Sequence, residues 1–478
     1  MELAQRSPEQ ATGVEVKPRR VMGFADVALF YVVTGISLRW SAFGAVAGPA
    51  AIVMWLSAFF LFFIPLALCV LEMSSRYPRQ GGLYIWTKSA LGDFAAFMAG
   101  WTYWASTIPF FPGALYFAAA SSLFLFGDVF KGLGANPTFF VLFSLAALAL
   151  MAFLNVIGLN VGKWLHNVGA VGMCVGAFAL LAIGLVAFAR FGSAAHFDAQ
   201  SLTPHLDVKS VIVWATLTFA FAGSETASFM AEEIKDPRKT LPLALLLGGA
   251  IVTIGYIGGT LSILVTLPAH LITGLEGFMR AVSLGADRIG APGITPVAAA
   301  FVAASEIGAC GAFLAAMARL AYVAGIEHYL PPSFAKLHPK WGTPYIALIA
   351  YAVLGGVFAL IGQAGTSVKT AYDILVSLTI VTYFIPFIYL FVSMMKLQAT
   401  PAPADGFRVP GGKPVALALA SIGLTMTILV LVLSFVPEPD DPNKALTLMK
   451  TLGSTAFMVV LGAVLFKWRH RDAKPDAA

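Results

Sequence analysis

Charged residues are scarce in this chain: aspartate, glutamate, lysine and arginine together make up 11% of its 478 residues, whereas hydrophobic residues make up 59%. Soluble globular domains carry about 25% charged residues. The mean hydropathy is +0.84. This composition excludes an ordinary soluble enzyme or binding domain, and it indicates that lipid is the solvent for most of the chain.

Cysteine is also rare, and enzyme signatures are missing. Cys69, Cys174 and Cys310 lie in apolar segments without the spacing of a disulfide framework or a metal site. The chain has no HExxH, GxSxG or Walker motif, and its seven histidines are scattered. The sequence therefore predicts a protein that is not an enzyme and that has no metal and no cofactor.

Apolar segments recur along the whole length, and each can cross a hydrocarbon core about 30 Å thick. Because no water satisfies backbone groups there, such segments must be helices. The sequence predicts an all-α polytopic membrane protein with about twelve transmembrane helices. The predicted spans are roughly 24–47, 51–74, 93–125, 138–158, 164–189, 209–231, 242–267, 292–322, 343–363, 369–395, 414–436 and 447–467.

The basic residues predict the orientation. An even number of spans places both termini on one side, and most of the 30 lysines and arginines fall on that side. Positive charge accumulates in cytoplasmic loops, so we expect cytoplasmic termini and location in the cell membrane, which is the inner membrane if the source is bacterial. The net charge of +6 is thus a topology signal and predicts no nucleic-acid partner.

Two predicted spans contain small-residue breaks near their middles. The first span has Thr34 and Gly35, and the sixth has Ala222, Gly223 and Ser224. A single glycine in a membrane helix is commonly a packing contact. Two interruptions five spans apart are typical of an inverted-repeat transporter, whose substrate site lies between the unwound segments. A carboxylate suits an exposed helix N-terminus there, and an ammonium suits exposed carbonyls.

Three charged residues stand out because they lie well inside predicted spans, where an ionisable side chain costs about 2.5–3.5 kcal/mol on insertion scales. Glu225 follows the break in the sixth span, Arg39 lies one turn past Gly35, and Glu306 lies in the eighth span. Such residues predict functional sites. Arg39 has two interpretations: a structural or gating ion pair with Glu225 or Glu306, or a direct contact with an anionic group of the substrate.

Four stretches resemble the amino acid-polyamine-organocation superfamily of transporters, and the likeness covers most of the chain. They are "TGI" after "VALFYVV", "YPRQGGLYIW" (Tyr77 to Trp86), "FAGSETASFMAEEIKDPRKTLP" in the sixth span, and "LPPSFAKLHPKWGTP" (Leu330 to Pro344). The resemblance implies a LeuT-like fold of two inverted five-helix repeats followed by two helices. The implied divisions are a cytoplasmic tail 1–21, repeats 22–208 and 209–396, helices eleven and twelve in 397–467, and a cytoplasmic tail 468–478.

The resemblance also implies roles for individual residues. Backbone groups of Thr34, Gly35 and Ile36 would hold a substrate carboxylate, and carbonyls near Phe219 and Ala220 would receive an ammonium. Glu225 matches an acidic position linked to gating and, in some members, to proton sensing. The lysine that some proton-coupled members carry on the fifth helix is absent, because Met173 stands there. The remaining residues implied at the pocket are Phe111, Gly223 and Phe313.

The predicted function is secondary active transport of an amino acid or related amine by alternating access, with coupling to protons through Glu225. Sodium coupling and proton-independent exchange remain alternatives. From another class, the alternative is a membrane sensor that binds an amino acid without moving it. The expected partners are the small-molecule substrate, protons if transport is coupled to them, and the lipid bilayer.

Overall fold

The computed structural model describes residues 20–79, 81–326, 330–364, 367–401, 406–436 and 444–472. Most of the predicted tails, residues 1–19 and 473–478, lie outside the described part. Within it, the chain is helical, and extended pairing is limited to an isolated bridge between Met22 and Ile234. The predicted all-α class is therefore confirmed.

Eighteen α-helices follow one another in the described part of the chain. They are α1 Phe24–Gly35, α2 Arg39–Val46, α3 Ala51–Ala58, α4 Ile64–Arg76, α5 Leu83–Leu91, α6 Asp93–Ser106, α7 Phe110–Ser122, α8 Pro137–Ile157, α9 Leu159–Phe191, α10 Ala199–Leu202, α11 Val208–Ala220, α12 Pro237–Thr266, α13 Gly277–Arg288, α14 Ile294–Ile326, α15 Tyr345–Gln363, α16 Val368–Leu397, α17 Gly412–Leu433 and α18 Lys444–Asp472.

Ten helical stretches of the described chain are long and apolar enough to cross a membrane. Two shorter apolar helices, Val208–Ala220 and Thr455–Trp468, match the predicted sixth and twelfth spans. Large apolar side chains such as Phe178, Leu185 and Ile254 are about two-thirds exposed on the outer helix surfaces. Water would penalise this exposure, but hydrocarbon does not. The protein is a polytopic membrane protein.

Both predicted breaks are present. In the first span, α1 ends at Gly35, Ile36 is extended at φ −110° and ψ 136°, and α2 begins at Arg39. In the sixth, α11 ends at Ala220, and a turn leads to 3₁₀ turns over Thr226–Glu233. Gly223 in this turn has φ +110°, a conformation that glycine adopts without the penalty of a Cβ.

The N-terminal end of α11 begins at an acidic cap. The Asp207 side chain accepts a hydrogen bond from the backbone N–H of Ser210 at 2.8 Å. This bond satisfies one of the free donors at the helix start, and it holds the pKa of the Asp207 carboxyl below its usual range. The sixth span therefore has a defined start on one side of its break.

The C-terminal end of the sixth span is bonded to two other segments. Backbone N–H groups of Val21 and Met22 donate to the Glu233 carbonyl at 2.9 and 3.1 Å. The buried Glu233 carboxylate accepts from Arg319 of α14 through Nε at 2.6 Å and Nη2 at 3.1 Å. This two-pronged pair connects the start of the first span, the end of the sixth and α14.

Replacing Arg319 with leucine is expected to lower the free energy of unfolding by about 3–5 kcal/mol, because it leaves the Glu233 carboxylate buried without its partner. Thermal unfolding of the detergent-purified protein measures the loss. An Arg319→Leu/Glu233→Leu double variant, which removes both charges, should recover most of the stability. Equal instability of the single and double variants would contradict the prediction.

Candidate functional site between two broken helices

A narrow cavity lies between the two breaks. Side chains and backbone from α1, α2, α7, α11, α12, α14 and α16 and from the two breaks enclose it. The lining residues are Val33, Thr34, Gly35, Ile36, Ser37, Trp40, Phe110, Phe219, Ala220, Ala222, Tyr256, Ala309, Phe313 and Tyr383. Among them are Thr34, Gly35, Ile36, Phe219, Ala220 and Phe313, so the structure brings together most of the residues that the sequence predicted for the pocket.

Phe111 does not line this cavity, and Phe110 takes its place. The buried Phe111 ring packs edge-on against Tyr351, with ring centres 5.1 Å apart. Successive residues of an α-helix point about 100° apart, so an error of one position selects a different face of the helix. Alignment of a motif cannot resolve that difference where two phenylalanines are adjacent.

Gly223 lies next to the cavity lining without belonging to it. A Cβ added there would come 2.5 Å from the carbonyl oxygen of Thr34. The Thr226 hydroxyl lies 3.1 Å from the hydroxyl of Thr34 and donates to the Gly223 carbonyl at 2.5 Å. Gly223 therefore lets the two broken segments touch through their backbones.

Glu225 is fully buried behind the cavity and is held by two tyrosines. Its Oε1 accepts from the hydroxyl of Tyr103, and also from that of Tyr383 at 3.1 Å. Its Oε2 accepts from the Gly223 N–H at 3.3 Å. The two tyrosine hydroxyls are 2.5 Å apart. Because Tyr383 also lines the cavity, it connects the space where a ligand would lie with the buried carboxylate.

Tyr256 of α12 joins the two breaks. Its hydroxyl accepts from the Ser37 N–H at 3.2 Å and lies 2.9 Å from the carbonyl oxygens of both Gly35 and Ala220. The hydroxyl has one proton, so it can donate a hydrogen bond to only one of these two carbonyls at a time. The ring stacks on Trp55, with centres 4.5 Å apart. Sequence reasoning missed Tyr103, Tyr256 and Tyr383, although a hydroxyl inside an apolar span needs a partner and could have marked each one.

Replacing Tyr256 with phenylalanine is expected to weaken ligand binding about tenfold and to destabilise the protein by about 1–3 kcal/mol, because buried backbone groups at both breaks lose a partner. Ligand titration by thermal shift measures both effects. Tyr389→Phe, on α16 outside the cavity lining, is the matched control. Wild-type affinity in the Tyr256 variant would show that the hydroxyl does not hold the breaks in their binding geometry.

Arg39 and Glu306 are both buried beside the cavity, but the structure does not pair them. The Arg39 guanidinium carbon lies 4.4 Å from the centre of the Trp40 ring. Glu306 accepts at Oε1 from the Ser37 hydroxyl at 2.7 Å. Among the described residues, Arg39 Nε and Nη1 and Glu306 Oε2 have no hydrogen-bond partner. One interpretation of Arg39 from the sequence was an ion pair with Glu225 or with Glu306. Neither ion pair is formed in this structure.

The described residues contain no group of three or more histidine, cysteine, aspartate or glutamate side chains placed to hold a metal ion. Cys69 and Cys310 are buried, and Cys174 is exposed on the helix surface. The polar groups around the cavity are hydroxyls, backbone groups and the charged side chains of Arg39, Glu225 and Glu306.

Comparison with known proteins identifies relatives along nearly the whole chain. A family model described as amino acid permease matches residues 21–466. An uncharacterized transporter, lpg1691 of Legionella pneumophila, is 24% identical over 429 residues, which cover 89% of this chain and 92% of that protein. The probable agmatine/putrescine antiporter AguD of Lactococcus lactis is 23% identical over 433 residues, covering 88% and 90%.

The fold is also similar to that in the crystal structure of MhsT in complex with L-phenylalanine. The TM-score is 0.63 at 15% sequence identity, and the match covers 88% of this chain and 100% of MhsT. At this identity the likeness concerns the fold alone. It agrees with the predicted arrangement of a LeuT-like protein.

Proposed function

The chain belongs to the amino acid permease family and is a membrane transporter, and we propose that it is a secondary active transporter that moves an amino acid or related amine by alternating access. In this proposal, residues 22–208 and 209–396 are the two inverted repeats, and 397–467 supplies helices outside the transport core. Both termini lie in the cytoplasm, because most of the basic residues fall on their side.

The observation that carries the proposal is the meeting of two broken spans at one cavity. α2 begins directly after the break, and the positive end of its helix dipole favours a carboxylate there, although the N–H groups of Trp40 and Ser41 already donate to the carbonyls of Ser37 and Leu38. The C-terminal ends of α1 and α11 offer carbonyls, which favour an ammonium. Thr34, Gly35 and Ile36 would bind the carboxylate, and Phe219 and Ala220 the ammonium. Unwound backbone at membrane depth is tolerated where such a ligand meets it.

Glu225 is proposed as the acid that couples proton transfer to gating. It is buried, and its hydrogen bonds reach the cavity through Tyr383 and the break through Gly223. A change of charge on this carboxylate would therefore alter contacts in both places. Arg39 and Glu306 would respond to the same gate movement, because each lies beside the first break. The two amines in the name of AguD support keeping amines beside amino acids among the candidate substrates.

A ligand screen followed by transport tests the proposal. Thermal-shift measurements against the twenty amino acids, simple amines and polyamines, at about pH 5.5 and about pH 7.5, identify ligands that stabilise the folded state by mass action. Radiolabelled hits are then offered to proteoliposomes with and without a pH gradient. Uptake that follows the gradient supports a proton-coupled transporter.

Other outcomes separate the alternatives. Uptake that needs preloaded substrate and ignores the pH gradient would identify a proton-independent exchanger. Binding without uptake, in liposomes that contain correctly folded protein, would favour a sensor. If no amino acid or amine stabilises the protein, the proposed substrate class is wrong.

A further inference from the structure

Arg39 is a buried cation beside the cavity. It is the first residue of α2, directly after the break, and is 1% exposed. Its guanidinium carbon lies 4.4 Å from the centre of the Trp40 ring and 5.3 Å from that of Phe110. Both rings line the cavity. The positive charge therefore packs against two of the aromatic rings that border the space where a substrate would lie.

The Arg39 guanidinium has unused hydrogen-bonding capacity. Its Nε and Nη1 are buried, and neither has a hydrogen-bond partner in the described part of the chain. Burying a charged group without a hydrogen-bond partner costs free energy, so proteins seldom keep such a group unless a bound molecule supplies the missing partner. Cation–π contact with Trp40 and Phe110 offsets part of that cost, but it leaves the planar N–H donors free.

Glu306 is the nearby carboxylate that could have accepted hydrogen bonds from Arg39. Its Oε1 is engaged by the Ser37 hydroxyl, and its Oε2 has no partner among the described residues. A direct pair would satisfy both side chains at once. The two charges lie close enough to attract each other, but no salt bridge or hydrogen bond joins them, so the Nε and Nη1 donors of the guanidinium remain unoccupied.

We propose that Arg39 is a specificity residue that binds a second anionic group of the substrate, so that the preferred substrate is an amino acid with a carboxylate side chain rather than a polyamine. This inference rests on the proposed function, since it names the substrate class of the same site. The planar guanidinium matches a carboxylate with two parallel hydrogen bonds. Rotation of Trp40 or Phe110 brings the side-chain carboxylate and Arg39 together. A substrate with two positive charges is repelled by the same cation.

Exchange assays with the full-length protein in proteoliposomes test this proposal. The probes are radiolabelled L-glutamate, its neutral counterpart L-glutamine, and putrescine. We expect the wild-type protein to prefer glutamate over glutamine by at least about tenfold in apparent affinity. Arg39→Gln should weaken glutamate binding by about 30-fold or more while changing glutamine binding by less than about threefold. Arg280→Gln, which breaks an exposed pair with Glu276 on α13, is the matched control and should change neither.

Several results would overturn the proposal. If the protein exchanges glutamine or putrescine and shows no preference for glutamate, the role of Arg39 in specificity is contradicted. The proposed transport function is then still supported. If a folded protein exchanges none of the amino acids or amines, both are wrong. If an Arg39→Gln/Glu306→Gln double variant recovers the wild-type preference for glutamate, Arg39 only neutralises the charge of Glu306 and does not bind the substrate.

Should Arg39→Gln fail to fold, Arg39→Lys carries the test, because it keeps the charge and loses the two-pronged donor geometry. The expected result is a glutamate preference that falls by about tenfold and a putrescine exclusion that is retained. A lysine variant with unchanged glutamate affinity would contradict direct binding by the guanidinium.

Discussion

Replacing Glu225 with glutamine is expected to lower proton-driven uptake by at least about tenfold and to make the remaining uptake independent of pH. Glutamine preserves the size of the side chain, but it cannot carry the charge that changes during coupling. It also presents an NH₂ group at one of the positions where the carboxylate accepts from Tyr103, Tyr383 and Gly223. At least one buried donor therefore loses its acceptor: Gly223 N–H if the NH₂ replaces Oε2, or both tyrosine hydroxyls if it replaces Oε1.

The measurement is uptake into proteoliposomes as the external pH is varied at constant internal pH. For a proton-coupled importer, wild-type uptake rises as the external pH falls, and the Glu225→Gln profile is flat. Glu276→Gln, which removes a partly exposed carboxylate on α13, should keep the wild-type profile. A variant at Glu225 that retains full uptake with an unchanged pH profile would remove the coupling role, and proton-independent exchange would become the better explanation.

Replacing Gly223 with alanine is expected to abolish transport and to destabilise the protein by at least about 2 kcal/mol. Two costs combine. At φ +110° a side chain is strained, by about 1–2 kcal/mol or more. The new Cβ would also lie 2.5 Å from the Thr34 carbonyl oxygen, which is backbone and cannot rotate away. The two breaks must then separate, and the cavity loses its shape.

Thermal unfolding and ligand binding in detergent check this prediction. Gly293→Ala is the control, because a Cβ there meets no atom within 4 Å and the backbone does not have a positive φ. We expect that control to match the wild-type protein in stability and uptake. If Gly223→Ala binds substrate normally, the close contact of the two breaks is not required for the site.

The spans and their interruptions could be predicted from the sequence because lipid imposes a simple rule. An apolar run must form a helix there, a charged residue in such a run is costly enough to mark a site, and small-residue interruptions at matching places in two spans are typical of an inverted repeat. Gly35, Gly223, Glu225, Arg39 and Glu306 were all visible for that reason. The family's motifs then placed Phe219 and Phe313, which line the cavity.

The remaining features depend on contacts between residues distant in the chain. Tyr103 and Tyr383 meet at Glu225 across separations of 122 and 158 residues, and a single sequence does not record such pairs. The choice between Phe110 and Phe111 depends on the rotation of α7, which packing against α14 and α16 sets.

The sequence by itself determined that this protein lies in a membrane, where its helices cross, and that the first and sixth of them are interrupted, because solvent and backbone hydrogen bonding act locally. Only the tertiary structure decided that Tyr256 joins the two interruptions and that Arg39 is left without a carboxylate partner. Side-chain pairing depends on how helices pack and rotate against one another, and that packing is a property of the whole assembly of helices.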